Sequence, residues 1–162
     1  METKHRCAWC EKDDLYRNYH DNEWGKPVYD DKTIFEFLIL ETFQAGLSWY
    51  TVLAKRENFK KAFDDFDWNT IALYSEEKMA ELAEDTGIIR NKLKIKATVT
   101  NAQAFLKVQE EFGSFSKYIW GFVDGKPIDN QPKNLGEVKA TTEISDKLSK
   151  DLKKRGFKFV GS

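Results

Sequence analysis

The sequence predicts an all-α protein, and three observations carry that expectation. Apolar residues recur at spacings of three and four, a Ser, Asp or Asn stands before most of these stretches, and no convincing strand appears. With 162 residues, 41% apolar and 14% aromatic, the chain can bury an ordinary core. A compact multi-helix fold over 1–162 is expected, in two lobes with a cleft between them.

The N-terminal stretch "CAWCEKDDLYRNYHDNEWGKP" carries Trp9, Tyr16, Tyr19 and Trp24. Tyr16 and Tyr19, three apart, share one face of any helix, and Trp24 is expected in the core. Asp31 can cap a helix over 31–45, with Ile34, Phe37, Leu38 and Leu40 at helical spacing and Gly46 as its stop. Glu41 stands among these apolar residues, where a buried carboxylate is unexpected; an acid facing water at a helix end is its plainer reading. Ser48 can cap the next helix, which bears Trp49, Val52 and Leu53.

Asp67 and Ser75 each open a short helix, the second with Glu76 and Glu77 in its first turn, where the helix dipole favours them. The stretch 91–112 is the longest periodic one, its apolar side made of Ile95, Val99, Ala102, Phe105 and Leu106. Ser114 opens a short aromatic helix, "VDGKPIDNQPKN" reads as a loop, and a last helix over 143–155 ends at Gly156.

The formal charge of -1 announces no nucleic-acid partner for the chain as a whole. The segment 87–107, however, holds five bases and no acid, enough for a local basic surface. No apolar run is long enough to span a membrane, and the N-terminus lacks a secretion signal, so a soluble cytoplasmic protein is expected. Cys7 and Cys10 are too few for a disulfide framework, leaving them as metal ligands or ordinary thiols. Cys7, Cys10 and His20 have only His5 as a further thiol or imidazole candidate to complete a closed zinc site.

Two constellations carry chemistry. "LAEDTGIIRNKLKI" links two helices through Thr86, Gly87, Ile88 and Ile89, with Asn91 capping the second. Glycine at 87 permits a conformation closed to other residues, and outward N–H groups at a helix N-terminus make an anion site, to which Arg90, Lys92 and Lys94 add charge. The link, within about 75–112, looks like a helix-hairpin-helix, which grips a DNA phosphate without reading sequence; its second glycine is replaced by Ile89, and a packing hairpin is the equal alternative. Trp9, Tyr16, Tyr19 and Glu41 together can form a slot for a flat base.

"RCAW", "YHDNEWG", "LETFQAGLSW", "TGIIRNKLKI" and "LKKRGFKFVG" resemble, in order and spacing, the bacterial 3-methyladenine DNA glycosylase I family of the helix-hairpin-helix DNA glycosylase superfamily. The resemblance runs from Arg6 to Gly161 and implies a compact all-α glycosylase fold with a base pocket between lobes. It implies excision of 3-methyladenine from alkylated double-stranded DNA, with free 3-methyladenine released and an abasic site left; one DNA-binding surface needs only a monomer. Glu41 then takes the catalytic position as the carboxylate that recognises the flipped base. Tyr16 and Trp49 enclose the base, Trp9 and Tyr19 complete the aromatic wall, and the turn of Gln44, Ala45, Gly46 and Leu47 presses into the duplex. Thr86, Gly87, Ile88 and Ile89 supply the phosphate hairpin.

Family members continue into a C-terminal segment whose His and Cys complete a structural zinc site with the counterparts of Cys7 and His20. This sequence stops at Ser162, so half of that site is expected here, with Cys10 an ordinary thiol. Catalysis itself needs no cofactor. The alternative is a non-catalytic helix-hairpin-helix module that holds DNA and gives Glu41 no chemical part.

Overall fold

The computed structural model describes residues 5–162. Among these residues there is no strand, and nine α-helices follow one another: Asp14–Asn22 (α1), Asp31–Gln44 (α2), Trp49–Ala54 (α3), Arg56–Ala62 (α4), Trp68–Ile71 (α5), Glu76–Ala83 (α6), Lys92–Phe112 (α7), Phe115–Trp120 (α8) and Glu143–Lys154 (α9). None of the helices is long and apolar enough to cross a membrane.

Most starts follow local chemistry. Ser48, Asp67, Ser75, Asn91 and Ser114 each accept a backbone N–H from the first turn of the helix they precede. Thr142 and Ser145 form a reciprocal cap at the head of α9. The expected cap of α2 is displaced by one residue. Asp30, with extended backbone, accepts the Thr33 N–H at 2.9 Å, so Asp31 already lies inside the helix. Its carboxylate reaches across the fold instead, accepting the N–H groups of Phe115 at 3.0 Å and Ser116 at 2.8 Å and the Gln109 side-chain amide at 2.9 Å. An anion there completes the start of α8 and ties it to the first turn of α2.

The core forms around α7, whose Ile95, Val99, Ala102 and Phe105 are buried as the periodicity predicts. Phe105 packs edge-on to Phe35 of α2 at 5.0 Å and stacks on Phe115 of α8 at 4.5 Å. A second aromatic group, Phe43, Phe59 and Phe63, joins α2 to α4. Apolar residues encircle α2 because it has two apolar neighbours: Phe35, Ile39, Leu40 and Phe43 enter the core, while Ile34, Phe37, Leu38 and Glu41 line a cleft.

The C-terminal segment is pinned to this framework by Asn101, which is fully buried on α7. Its amide donates to the Lys158 carbonyl at 3.1 Å and to Thr42 Oγ1 at 3.4 Å, and its carbonyl accepts the Lys158 N–H at 2.7 Å.

Replacing Asp31 with alanine leaves three donors without their carboxylate. Urea denaturation of Asp31→Ala is expected to show a loss of about 2 kcal/mol with an unchanged m-value, since hydrogen bonds to a charged group lie in that range.

Candidate active site and adjoining turns

Asp13 builds the first wall. One oxygen caps α1 by accepting the Tyr16 N–H at 2.9 Å, and the other receives the Tyr50 hydroxyl from α3. These bonds hold the Asp13 carboxyl below its ordinary range and raise the Tyr50 hydroxyl. Tyr16 is thereby fixed between Tyr50, with centroids 5.2 Å apart, and Trp9, at 5.0 Å. Tyr19, one turn further, meets Trp49 at 5.6 Å, and Trp49 in turn stacks on Phe37 at 6.4 Å.

These rings enclose a cavity of about 320 Å³. It is lined by the five residues singled out in the sequence, Trp9, Tyr16, Tyr19, Glu41 and Trp49, and also by Trp24 and Gln44. Trp24 is not a core residue: it is 48% exposed, stacked on His20 and edge-on to Trp9. The glycine after it, at a φ of +73°, turns the chain away and leaves the indole at the rim. A wider apolar cleft of about 930 Å³ adjoins the cavity and shares Tyr19, Trp24, Glu41 and Gln44 with it. The smaller space is the better seat for a planar ligand, because aromatic faces there converge on a carboxylate.

Glu41 is not a sequestered acid. It is exposed to the cavity and has no hydrogen bond or ion pair among the described residues, yet the surrounding aromatic wall withholds enough water to raise its carboxyl above the ordinary value. Its charge, after burial, helps push the Tyr19 hydroxyl up to about 12, which keeps that hydroxyl a donor. The Trp49 indole N–H is also buried without an acceptor among the described residues.

Three residues after Glu41, at Gln44, α2 ends in a preformed turn. Gly46 has a φ of +80°, the Leu47 N–H donates to the Gln44 carbonyl at 2.7 Å, and the Gln44 amide donates to the Leu47 carbonyl at 2.7 Å. The Leu47 side chain is 39% exposed at its tip.

The hairpin between α6 and α7 departs from expectation in two respects. Gly87 is not in the left-handed region; it is needed for space, because a Cβ would come within 3.1 Å of Asp85 Oδ1 and 3.3 Å of the Asn58 side chain. Its N–H is held by Asp85 Oδ1 at 2.8 Å, whereas those of Ile89 and Arg90 have no acceptor among the described residues. Ile88 is buried in the core, while Thr86, Arg90 and Lys92 are exposed. Lys94 does not belong to the basic surface: it is 5% exposed and its ammonium donates inward to carbonyls of α2 and the turn.

The zinc expectation finds no complete donor set. Among the described residues, no group of three or more His, Cys, Asp or Glu side chains is placed to hold a metal. His20 Nδ1 lies 3.0 Å from Asp21 Oδ1, and the Cys10 thiol donates to the Cys7 carbonyl at 3.1 Å.

An all-helical scaffold with an aromatic cavity, a lining carboxylate and a hairpin presenting free amides has the layout of a helix-hairpin-helix DNA glycosylase. Comparison with known proteins agrees. The methyladenine glycosylase family model matches residues 9–162. DNA-3-methyladenine glycosylase 1 of Escherichia coli (strain K12) is 48% identical over 157 residues, covering 97% of this chain and 84% of that protein. A crystal structure of 3-methyladenine DNA glycosylase I superposes with a TM-score of 0.93 at 49% identity, over 97% of this chain and 86% of the other. A tyrosine-to-phenylalanine variant of 3-methyladenine DNA glycosylase I, solved in complex with 3-methyladenine, also gives 0.93, at 40% identity over 98% and 85% of the two chains. The chain belongs to the methyladenine glycosylase family.

Sequence reasoning missed Asp13, Tyr50 and Asn58 as supports: the cap by which Asp13 accepts the Tyr16 N–H is a local signal that could have found it, whereas the Asp13–Tyr50 and Asn58–Gly87 contacts join positions far apart in the chain. The raised Glu41 carboxyl has a stability consequence. Its ionised form is disfavoured in the folded state, so the cost is absent below the unfolded carboxylate pKa and fully present above the folded one. Glu41→Gln is therefore expected to melt a few degrees above the parent protein at neutral pH, with the difference vanishing in calorimetry as the pH falls below the ordinary carboxylate range.

Proposed function

We propose that this protein hydrolyses the N-glycosidic bond of 3-methyladenine in alkylated double-stranded DNA as a monofunctional base-excision enzyme. The observation that carries this reading is Glu41: an unpaired carboxylate in an aromatic cavity, in the last turn of a helix whose following turn carries an exposed apolar tip. The 44–47 turn presses into the duplex at the lesion, Leu47 filling the space of the extruded nucleotide, while the free amides of the hairpin hold a nearby phosphate with Arg90 and Lys92 beside them. One such surface suffices for a monomer acting in the cytoplasm.

Methylation at N3 makes the base cationic while it remains attached to the sugar. Tyr16 and Trp49 enclose the ring, Trp9 and Tyr19 close the wall, and ionised Glu41 attracts the cation and accepts hydrogen bonds from the purine edge. Neutral adenine gains less from the same carboxylate, which is the basis of discrimination. When the bond between C1′ and the base breaks, its electron pair neutralises the purine. Water adds to the oxocarbenium-like C1′ and releases a proton, leaving an abasic site and free 3-methyladenine. No covalent nucleophile takes part, so the strand is not cut. Cys7 and His20 would offer two of the four donors that a structural zinc site uses, and the hydrolysis itself draws only on the base, the carboxylate and water.

In single-turnover excision from methylated duplex DNA, Glu41→Gln is expected to lose on the order of 100-fold in rate while remaining folded, the scale of a lost electrostatic contact in a transition state; an unchanged rate would remove Glu41 from the mechanism. Gly87→Val, by crowding Asp85 and Asn58, is expected to weaken duplex binding on the order of tenfold, as loss of a charge-assisted contact does. Free 3-methyladenine should bind that variant with unchanged affinity, as tryptophan fluorescence titration would show.

A further inference from the structure

Lys94 is in an unfavourable position by two elementary criteria. It lies in the first turn of α7, where the helix dipole repels a cation, and it is nearly excluded from water. Burial lowers its pKa accordingly. What offsets both terms is the other end of the molecule's key helix: Nζ donates to the Phe43 carbonyl at 2.8 Å and to the Ala45 carbonyl at 2.5 Å. Phe43 is in the last turn of α2, and Ala45 is the first residue of the turn that follows it, so Lys94 satisfies two carbonyls that the ending helix leaves without intrahelical partners.

The same residue is tied to the hairpin by its backbone. Its N–H is the one that Asn91 caps, through Oδ1 at 3.1 Å, and Asn91 directly follows Ile89 and Arg90 with their free amides. One residue therefore spans the two elements assigned to DNA: its main chain belongs to the head of the hairpin helix, and its side chain holds the base of the 44–47 turn. Glu41 lies on α2 just before the Phe43 carbonyl, so the same clamp fixes the end of the helix that presents the carboxylate.

We propose that Lys94 is a positioning residue that locks the 44–47 turn to the hairpin helix, so that capture of a phosphate by the hairpin aims Leu47 and Gln44 at the lesion. This rests on the glycosylase reading above. The residue touches neither base nor phosphate; it acts through the turn, and it departs from a surface lysine in that neutralising it should leave nonspecific attraction to DNA intact.

The test compares Lys94→Met with the parent protein on two methylated duplexes: one with the lesion fully paired, and one with the lesion opposite a one-nucleotide gap, where little pressure is needed to extrude it. Single-turnover excision from the paired duplex is expected to fall on the order of 100-fold, the scale of a misplaced reacting group. On the gapped duplex most of the rate should return, and the affinity for free 3-methyladenine and the salt dependence of DNA binding should not change. An equal loss on both duplexes, or a parallel loss of free-base binding, would mean a merely structural role and overturn the proposal; so would an undiminished rate on the paired duplex. If circular dichroism shows Lys94→Met unfolded, Lys94→Leu, which also removes the donors but keeps an apolar stem, is put through the same comparison and judged by the same outcomes. Failure of the parent protein to release any base would instead sink the glycosylase reading, a result distinct from any behaviour of the variants.

Discussion

The C-terminal end of α2 is the constraint on which the rest of the structure turns. A helix cannot simply stop in a protein interior, because its last carbonyls need donors. Here the donors are the Lys94 ammonium, from the head of α7, and the Leu47 N–H, from the turn itself. With its end fixed in this way, α2 can present apolar residues on two sides, Phe35, Ile39 and Phe43 to the core and Phe37 and Glu41 to the cleft. The position of the carboxylate and the position of the exposed leucine tip are thus consequences of one arrangement of hydrogen bonds.

The electrostatics of Glu41 follow from what is missing around it. Other acids near the site are paired: Asp13 with Tyr50 and the α1 amide, Glu23 and Glu36 with Arg56. Glu41 alone among the residues lining the aromatic cavity is an acid, and among the described residues it has no partner to stabilise its charge. A group left in that state is a liability for folding and an asset for attracting a cation. On the function proposed above, a little stability is given up to keep a charge unsatisfied until a positively charged base arrives. Because a glycosidic bond to a cationic purine is already weakened, attraction and orientation can suffice where a neutral base would require stronger activation of water.

The sequence was most informative where the physics is local. Caps at Ser48, Ser75, Asn91 and Ser114 depend on residues three positions away, and the period of α7 depends only on its own apolar stripe. Of the pocket residues, Trp9, Tyr16, Tyr19 and Glu41 were legible together as a slot for a flat base, while Trp49 joined them through the family resemblance. Misreadings came from contacts across the chain. Two adjacent acids, Asp30 and Asp31, can both cap α2, and only α8, more than eighty residues on, decides which one does. Gly87 suggests a special backbone angle, but its reason is the side chain of Asn58. Lys94 belongs to a basic run by sequence and to the interior by tertiary structure, since no local pattern reveals carbonyls about fifty positions away. Trp24 reads as core because aromatics at such density usually pack inside, and a following glycine with positive φ leaves it at the cavity rim.

The account is tested most directly by a mass balance on the unaltered protein and a duplex bearing a single 3-methyladenine. It predicts release of free 3-methyladenine, one abasic site for each base released, an intact strand, and no adenine from the matched unmethylated duplex. Retention of the methylated duplex with no free base in solution would contradict it, and would make the aromatic cavity a binding site without chemistry.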